Sequence, residues 1–155
     1  MPLSARFDDT YFSIDDGLAE TREVFLRGNG LPERWQDAGR DTFRIGELGF
    51  GTGLNFFASL CAWQAGAAQR KVASLTFVSF ERYPLKPEDM ARALQTWPEV
   101  VGVSAPWLDA LAAVASPDDG DINITIGDCT LELVVGDARR RIHEMRVPVD
   151  AWYLD

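Results

Sequence analysis

Apolar positions along this chain change their period in a regular way from Asp41 onward, with strand-like runs and helix-spaced runs taking turns. Thr42 to Leu48, TFRIGEL, predicts a strand. It leads into a glycine-dense turn, Gly49 to Gly53, after which Leu54, Phe57, Ala58, Cys61 and Ala65 recur at helical spacing. Leu75 to Phe80 predicts a second strand ending in Glu81. Pro87 then opens a helix through Met90, Ala91 and Leu94 that stops before Pro98. Ala105 to Ala115 predicts a third helix. Ile122 to Ile126 and Leu131 to Val135 flank Gly127-Asp128 as the strands of a hairpin would. Arg139 to Met145 predicts a short helix and Val149 to Leu154 a last strand. The opening of the chain is more polar and punctuated by glycine: Thr10 to Ser13 predicts a short strand, and Leu18 to Leu26 a short helix closing at Gly28. Two units follow, an N-terminal extension over 1–40 and an α/β core over 41–155.

Composition narrows the class without changing this outline. The 155 residues are 46% hydrophobic and 25% charged, enough for one domain with a core. A net charge of −9 is the wrong sign for a surface that grips nucleic acid everywhere, so any such contact must be local. Cys61 and Cys129 have no second Cys or His at ligand spacing, which indicates neither a disulfide framework nor a zinc site. The start of the chain lacks an apolar core and no stretch approaches a membrane span, so a reducing cytoplasm is expected.

Chemistry concentrates at strand ends. Glu47-Leu48-Gly49-Phe50-Gly51-Thr52-Gly53 puts an acid at the end of a strand and three glycines before a helix, where backbone can approach a ligand and a helix N-terminus offers free N–H groups. The same glycines would also serve a tight crossing on steric grounds alone. Glu81 ends the next strand, where a carboxylate can accept both hydroxyls of a ribose or stand solvated. Gly136-Asp137-Ala138 follows a third strand, and Asp137 is there either to help recognise an adenine edge or to cap the Arg139 helix. Ligands of open parallel sheets bind outside the carboxyl ends of the strands, so these three positions converge on one crevice. An acid just ahead of G-x-G-x-G suits a methyl donor better than the G-x-G-x-x-G of dinucleotide folds.

The run FDDTYFSIDDGLAETREVFLRGNGLPERW, followed by GELGFGTGLNFF, VSFERYPLKPEDM, QTWPEV, LELVVGDA and DAWYLD, resembles the methyltransferase domain of the bacterial tRNA 5-methylaminomethyl-2-thiouridine biosynthesis protein family. The resemblance covers nearly the whole chain in order. It implies a Rossmann-like S-adenosylmethionine-dependent methyltransferase fold, whose first four parallel strands take the order 3-2-1-4 with Val149 to Leu154 at an edge, and methyl transfer to the amine of an aminomethyl-uridine at the tRNA wobble position. It further implies that Gly49, Gly51 and Gly53 line the methionine end of S-adenosylmethionine with Glu47 beside its ammonium, that Glu81 holds the ribose, and that Asp137 sits at the adenine. Asn29, with Asp9 and Tyr11, would cover the donor site. Asp155 would match the acid that opens an Asp-Gly-Phe-x-Pro loop near the methyl. The Gly-Phe-x-Pro is absent after Asp155, so the chain is expected to hold the N-terminal part of the core, with a flavin-dependent oxidoreductase fused or separate.

Methyl transfer from a sulfonium is an in-line displacement that needs alignment and no metal. An alkylammonium of pKa about 10 must first lose a proton, a step Asp155 is placed to favour. The lone histidine, His143, is expected at a helix surface. Arg139, Arg140 and Arg141, with Arg22, Arg27 and Arg34, either form local phosphate contacts to tRNA or a solvated face. Trp35, Trp97, Trp107 and Trp152 are expected in packing. Two alternatives remain at this point: a nicotinamide- or flavin-dependent oxidoreductase on the same glycine turn, and a non-catalytic S-adenosylmethionine-binding fragment.

Overall fold

The structure, a computed structural model, describes residues 17–114 and 120–154. The expectations for Thr10 to Ser13, Asp9, Tyr11, Ala115 and Asp155 lie outside the described residues. In chain order the elements are α1 (Gly17–Thr21), β1 (Thr42–Leu48), α2 (Leu54–Ala65), β2 (Ser74–Glu81), α3 (Pro87–Leu94), α4 (Pro98–Val114), β3 (Ile122–Ile126), β4 (Cys129–Val135), α5 (Ala138–Arg141) and β5 (Ala151–Tyr153). One sheet runs β3-β4-β2-β1-β5. The pairs β1–β2, β2–β4 and β1–β5 are parallel and β3–β4 is antiparallel. The expected 3-2-1-4 order is therefore found in β4-β2-β1-β5, with the hairpin strand β3 added outside β4.

Period-two alternation sorts the sheet into two unlike faces. Phe43 and Ile45 of β1, Leu75 and Phe77 of β2, Leu131 and Leu133 of β4 and Tyr153 of β5 are buried in one core with Phe56, Phe57, Leu60 and Trp63 of α2 and Trp107, Leu108 and Leu111 of α4. Phe56 sits at its centre, with ring centroids 5.1 Å from Phe57, 5.1 Å from Phe77 and 4.9 Å from Trp107. Truncating such a ring to alanine costs about 3–5 kcal/mol. On the other face Arg44 of β1 reaches past β2 to Glu132 of β4 at 2.6 Å, and the Trp152 ring lies over Gly46, where an added Cβ would come within 2.6 Å of it.

Several boundaries differ from expectation. The third helix begins at Pro98 and carries Pro106 inside it, so Pro98 both ends one helix region and opens the next. A proline in the first helical turn gives up only an N–H that has no intrahelical partner. The first helix does not close at Gly28: it passes through a π-helical turn over Arg22–Leu26 and a 3-10 turn over Arg27–Asn29 and stops at Gly30, whose φ of +69° is the left-handed exit glycine allows. The Arg139 helix is one α-turn followed by a 3-10 turn over Ile142–Glu144. The residues after α1 join the core, since Leu18, Phe25, Leu26, Leu31 and Trp35 are all buried with it.

Candidate active site

Three of the strand-end positions meet as the topology requires. β2 lies between β1 and β4, and its last residue, Glu81, receives loops from both sides. Gly49 N–H donates to Phe80 O at 2.7 Å and Gly51 N–H to Glu81 Oε2 at 3.0 Å, while Gly136 N–H donates to Glu81 O at 3.0 Å. Tyr83 N–H takes Glu81 Oε1 at 3.0 Å. Each carboxylate oxygen keeps a further lone pair beyond the N–H it accepts.

The three glycines of the turn are not equivalent. Gly49, Gly51 and Gly53 have φ of +86°, +55° and +85°, a region that side chains avoid. At Gly49 and Gly51 an added Cβ meets nothing within 4 Å, so only backbone conformation restricts the residue and the surface beside it is open. At Gly53 it would lie 2.8 Å from Phe57 and 3.1 Å from Phe50. Gly53 thus answers to packing as well as to conformation, while the first two leave room for a ligand.

Glu47 is 2% exposed at the end of β1. Its Oε1 accepts the Ser79 hydroxyl at 2.7 Å, from the residue paired with it across β1–β2, and its Oε2 accepts Asn55 Nδ2 at 2.9 Å. Asn55 Oδ1 in turn accepts the Thr21 hydroxyl at 2.9 Å. Nearby, the Tyr153 and Ser59 hydroxyls are 2.8 Å apart, and Ser59 also donates to Asn55 O at 2.7 Å. Burial raises the Tyr153 phenol above its ordinary pKa, with the Glu47 charge adding to the effect. Thr21, Asn55, Ser59, Ser79 and Tyr153 were not singled out from sequence. The one usable signal was Asn55, two residues past the last glycine and so in the first turn of the helix that faces the strand end.

Asn29 lies half-buried beside β5, where its Nδ2 donates to Phe25 O at 2.8 Å and to Trp152 O at 3.2 Å. Asp137 caps α5, accepting Arg139 N–H at 2.9 Å, and its hydrogen bonds with the Arg139 side chain hold its carboxyl below the ordinary carboxylate range. Of the basic residues, Arg139 pairs with Asp137, Arg141 with Asp121 and Glu144, Arg22 with Glu99 and Arg27 with Glu23, whereas Arg34 donates to Asn29 O and Asp150 O. Five of the six thus have partners within the fold. His143 is exposed in the 3-10 turn after α5. Trp35 and Trp107 are buried as expected, and Trp97 and Trp152 are partly so. Among the described residues no helix is long and apolar enough to cross a membrane.

Residues 102–155 match a family described as S-adenosyl-L-methionine-dependent methyltransferase. Over 99% of its length the chain is 42% identical to the tRNA 5-methylaminomethyl-2-thiouridine biosynthesis bifunctional protein of Pseudomonas entomophila, and 47% identical to that of Pseudomonas fluorescens. It spans 23% of the length of either. The crystal structure of MNMC2 from Aquifex aeolicus superposes with a TM-score of 0.62 at 23% identity, covering 89% of this chain and 39% of that one. The reading as a nicotinamide-dependent oxidoreductase finds no support in these matches. The chain is thus similar in sequence to a part of these biosynthesis proteins and in fold to MNMC2, and its residues 102–155 match the S-adenosyl-L-methionine-dependent methyltransferase family.

Proposed function

We propose that this chain forms the donor-binding part of an enzyme that methylates the aminomethyl group on the wobble uridine of tRNA, the final step to 5-methylaminomethyl-2-thiouridine. The observation that supports it most is the joining of the β1, β2 and β4 ends around Glu81 in a chain so similar to those biosynthesis proteins. The site fits S-adenosylmethionine: an open glycine backbone lies beside a carboxylate with lone pairs to spare for a ribose diol.

When bound, S-adenosylmethionine supplies an electrophilic methyl on a sulfonium. Glu81 accepts the ribose hydroxyls, the Gly49–Gly51–Gly53 turn admits the methionine end, and Glu47 faces its ammonium. The Gly136-Asp137 corner stands at the adenine, its carboxylate already used as the α5 cap. Asn29, with Asp9 and Tyr11, closes the donor side. Asp155 orients the amine and favours loss of its proton, so that the nitrogen lone pair is free to attack in line. Arg140, exposed and outside any ion pair among the described residues, is the member of the basic run left for a tRNA phosphate. A flavin-dependent oxidoreductase, fused or separate, would act on the same nucleotide, and the setting is cytoplasmic.

The test is transfer of labelled methyl from S-adenosylmethionine, by the full-length protein, to tRNA carrying 5-aminomethyl-2-thiouridine. Label should enter that tRNA and not one lacking the aminomethyl group. Asp155→Asn should lower turnover roughly a hundredfold while leaving donor affinity nearly unchanged. Calorimetry that shows NAD binding and no response to S-adenosylmethionine would sink the proposal.

A further inference from the structure

Asn55 uses its side-chain amide at both ends. Nδ2 donates to Glu47 Oε2 at 2.9 Å and Oδ1 accepts the Thr21 hydroxyl at 2.9 Å. A carboxamide can rotate by half a turn and exchange its oxygen with its nitrogen, and beside a carboxylate only one of the two settings is attractive. The Thr21 hydroxyl, a donor aimed at Oδ1, favours the same setting from the opposite side. The two ends of the relay are buried, Thr21 at 4% exposed and Glu47 at 2%, with Asn55 partly buried between them. Thr21 ends α1, outside the strand, turn and helix that hold Glu47 and Asn55. A hydroxyl from the N-terminal segment therefore anchors the far end of the amide whose Nδ2 faces the Glu47 carboxylate, while Ser79 secures the other carboxylate oxygen at 2.7 Å.

We propose that Asn55 is a positioning residue for the ammonium group of the donor, acting through Glu47, and that Thr21 braces the Asn55 amide from its other end. The N-terminal segment thereby takes part in recognising the amino-acid end of the donor without touching it. This rests on the proposed function and deepens it by assigning the chain's discrimination between a whole donor and its adenosyl half to a specific relay. Without the Thr21 hydroxyl the amide keeps Nδ2 toward Glu47 but loses the bond that anchors its other end, and the carboxylate loses its fixed direction.

Two ligands separate this role from a merely structural one. S-adenosylmethionine carries the ammonium, whereas 5′-methylthioadenosine keeps the adenosyl group and lacks the amino-acid end. Thr21→Val should weaken S-adenosylmethionine about tenfold by calorimetry, the scale of one hydrogen bond to a charged group. Its affinity for 5′-methylthioadenosine should stay within about twofold of wild type, and Thr21→Ser should restore both values. If Thr21→Val fails to fold, Asn55→Asp, which turns an oxygen toward Glu47, carries the same comparison and should show the same selective loss. Equal losses for both ligands, or no loss for either, would overturn the positioning role alone. A wild-type protein that binds neither ligand would overturn the proposed function, and the relay with it.

Discussion

At the amino ends of the strands the Asp128 carboxylate is engaged by a guanidinium and an indole, and at the carboxyl ends Glu81 meets neither. Asp128 takes Arg70 Nη1 at 3.2 Å and the Trp63 indole N–H at 3.1 Å, and the Arg70 guanidinium stacks 3.8 Å from the Trp63 ring centroid. Burial pushes the Asp128 pKa up, but hydrogen bonds from Trp63, Arg70 and Cys129 outweigh it and hold the carboxyl below its ordinary value. Glu81 is held instead by two backbone N–H groups and, among the described residues, has no ion pair. The two acids show how one sheet separates stability from binding. A carboxylate neutralised by a stacked guanidinium has little left to offer a ligand, while one oriented by backbone dipoles keeps its charge and its outer lone pairs for hydroxyls.

This contrast can be broken most severely at Gly51. Valine there must hold a β-branched side chain at φ +55° and would pull the N–H away from Glu81. Donor binding should fall below detection by calorimetry. Glu81→Gln keeps the shape and removes the charge, so S-adenosylmethionine should bind about ten- to a hundredfold more weakly, with little change in melting temperature. Asp128→Asn should do the reverse: donor affinity within about twofold of wild type and, because Asp128 is half-exposed, a loss of only about 1 kcal/mol in denaturant unfolding. If Asp128→Asn damaged donor binding as much as Glu81→Gln, the division between the two ends would be lost.

The smallest effect is expected at Asp121. Its hydrogen bond with the Arg141 side chain, opposed by burial, lowers its pKa from 3.8. A depressed folded-state pKa gives stability that is present above the ordinary carboxylate range and lost as pH falls through the folded value. Asp121→Asn should therefore cost a few tenths of a kcal/mol at neutral pH, a surface-pair magnitude, and the gap between wild type and variant should close in acid.

What sequence reveals and what it hides divides along the reach of each interaction. The strands themselves follow from local periods, and their order from the methyltransferase topology that the resemblance implies. The hairpin at Gly127-Asp128 followed from turn chemistry, and Gly127 indeed has φ +61°. The three glycines could be located, but which of them is limited by packing depends on Phe50 and Phe57 folding back over Gly53. Ser79 becomes a partner of Glu47 only through the β1–β2 register, and Tyr153 meets Ser59 across 94 positions of chain. The arginine run leaves a binding patch and a solvated face both open in sequence because Asp121, which pairs with Arg141, lies 20 residues away. Asp137 had two local readings, and the observed bond to Arg139 N–H shows its carboxylate serving as the cap.

The sheet order also grades the lifetime of its amide protons. β2 is paired on both sides over most of its length, whereas β5, among the described residues, is paired on one side through Ala151, Trp152 and Tyr153 only. Local opening costs least where few backbone bonds and little enclosure must be given up. Exchange with solvent should therefore begin at β5 and reach β2 last. The strand from which Asp155 follows can loosen and reseat many times during one lifetime of the β1–β2–β4 unit around Glu81.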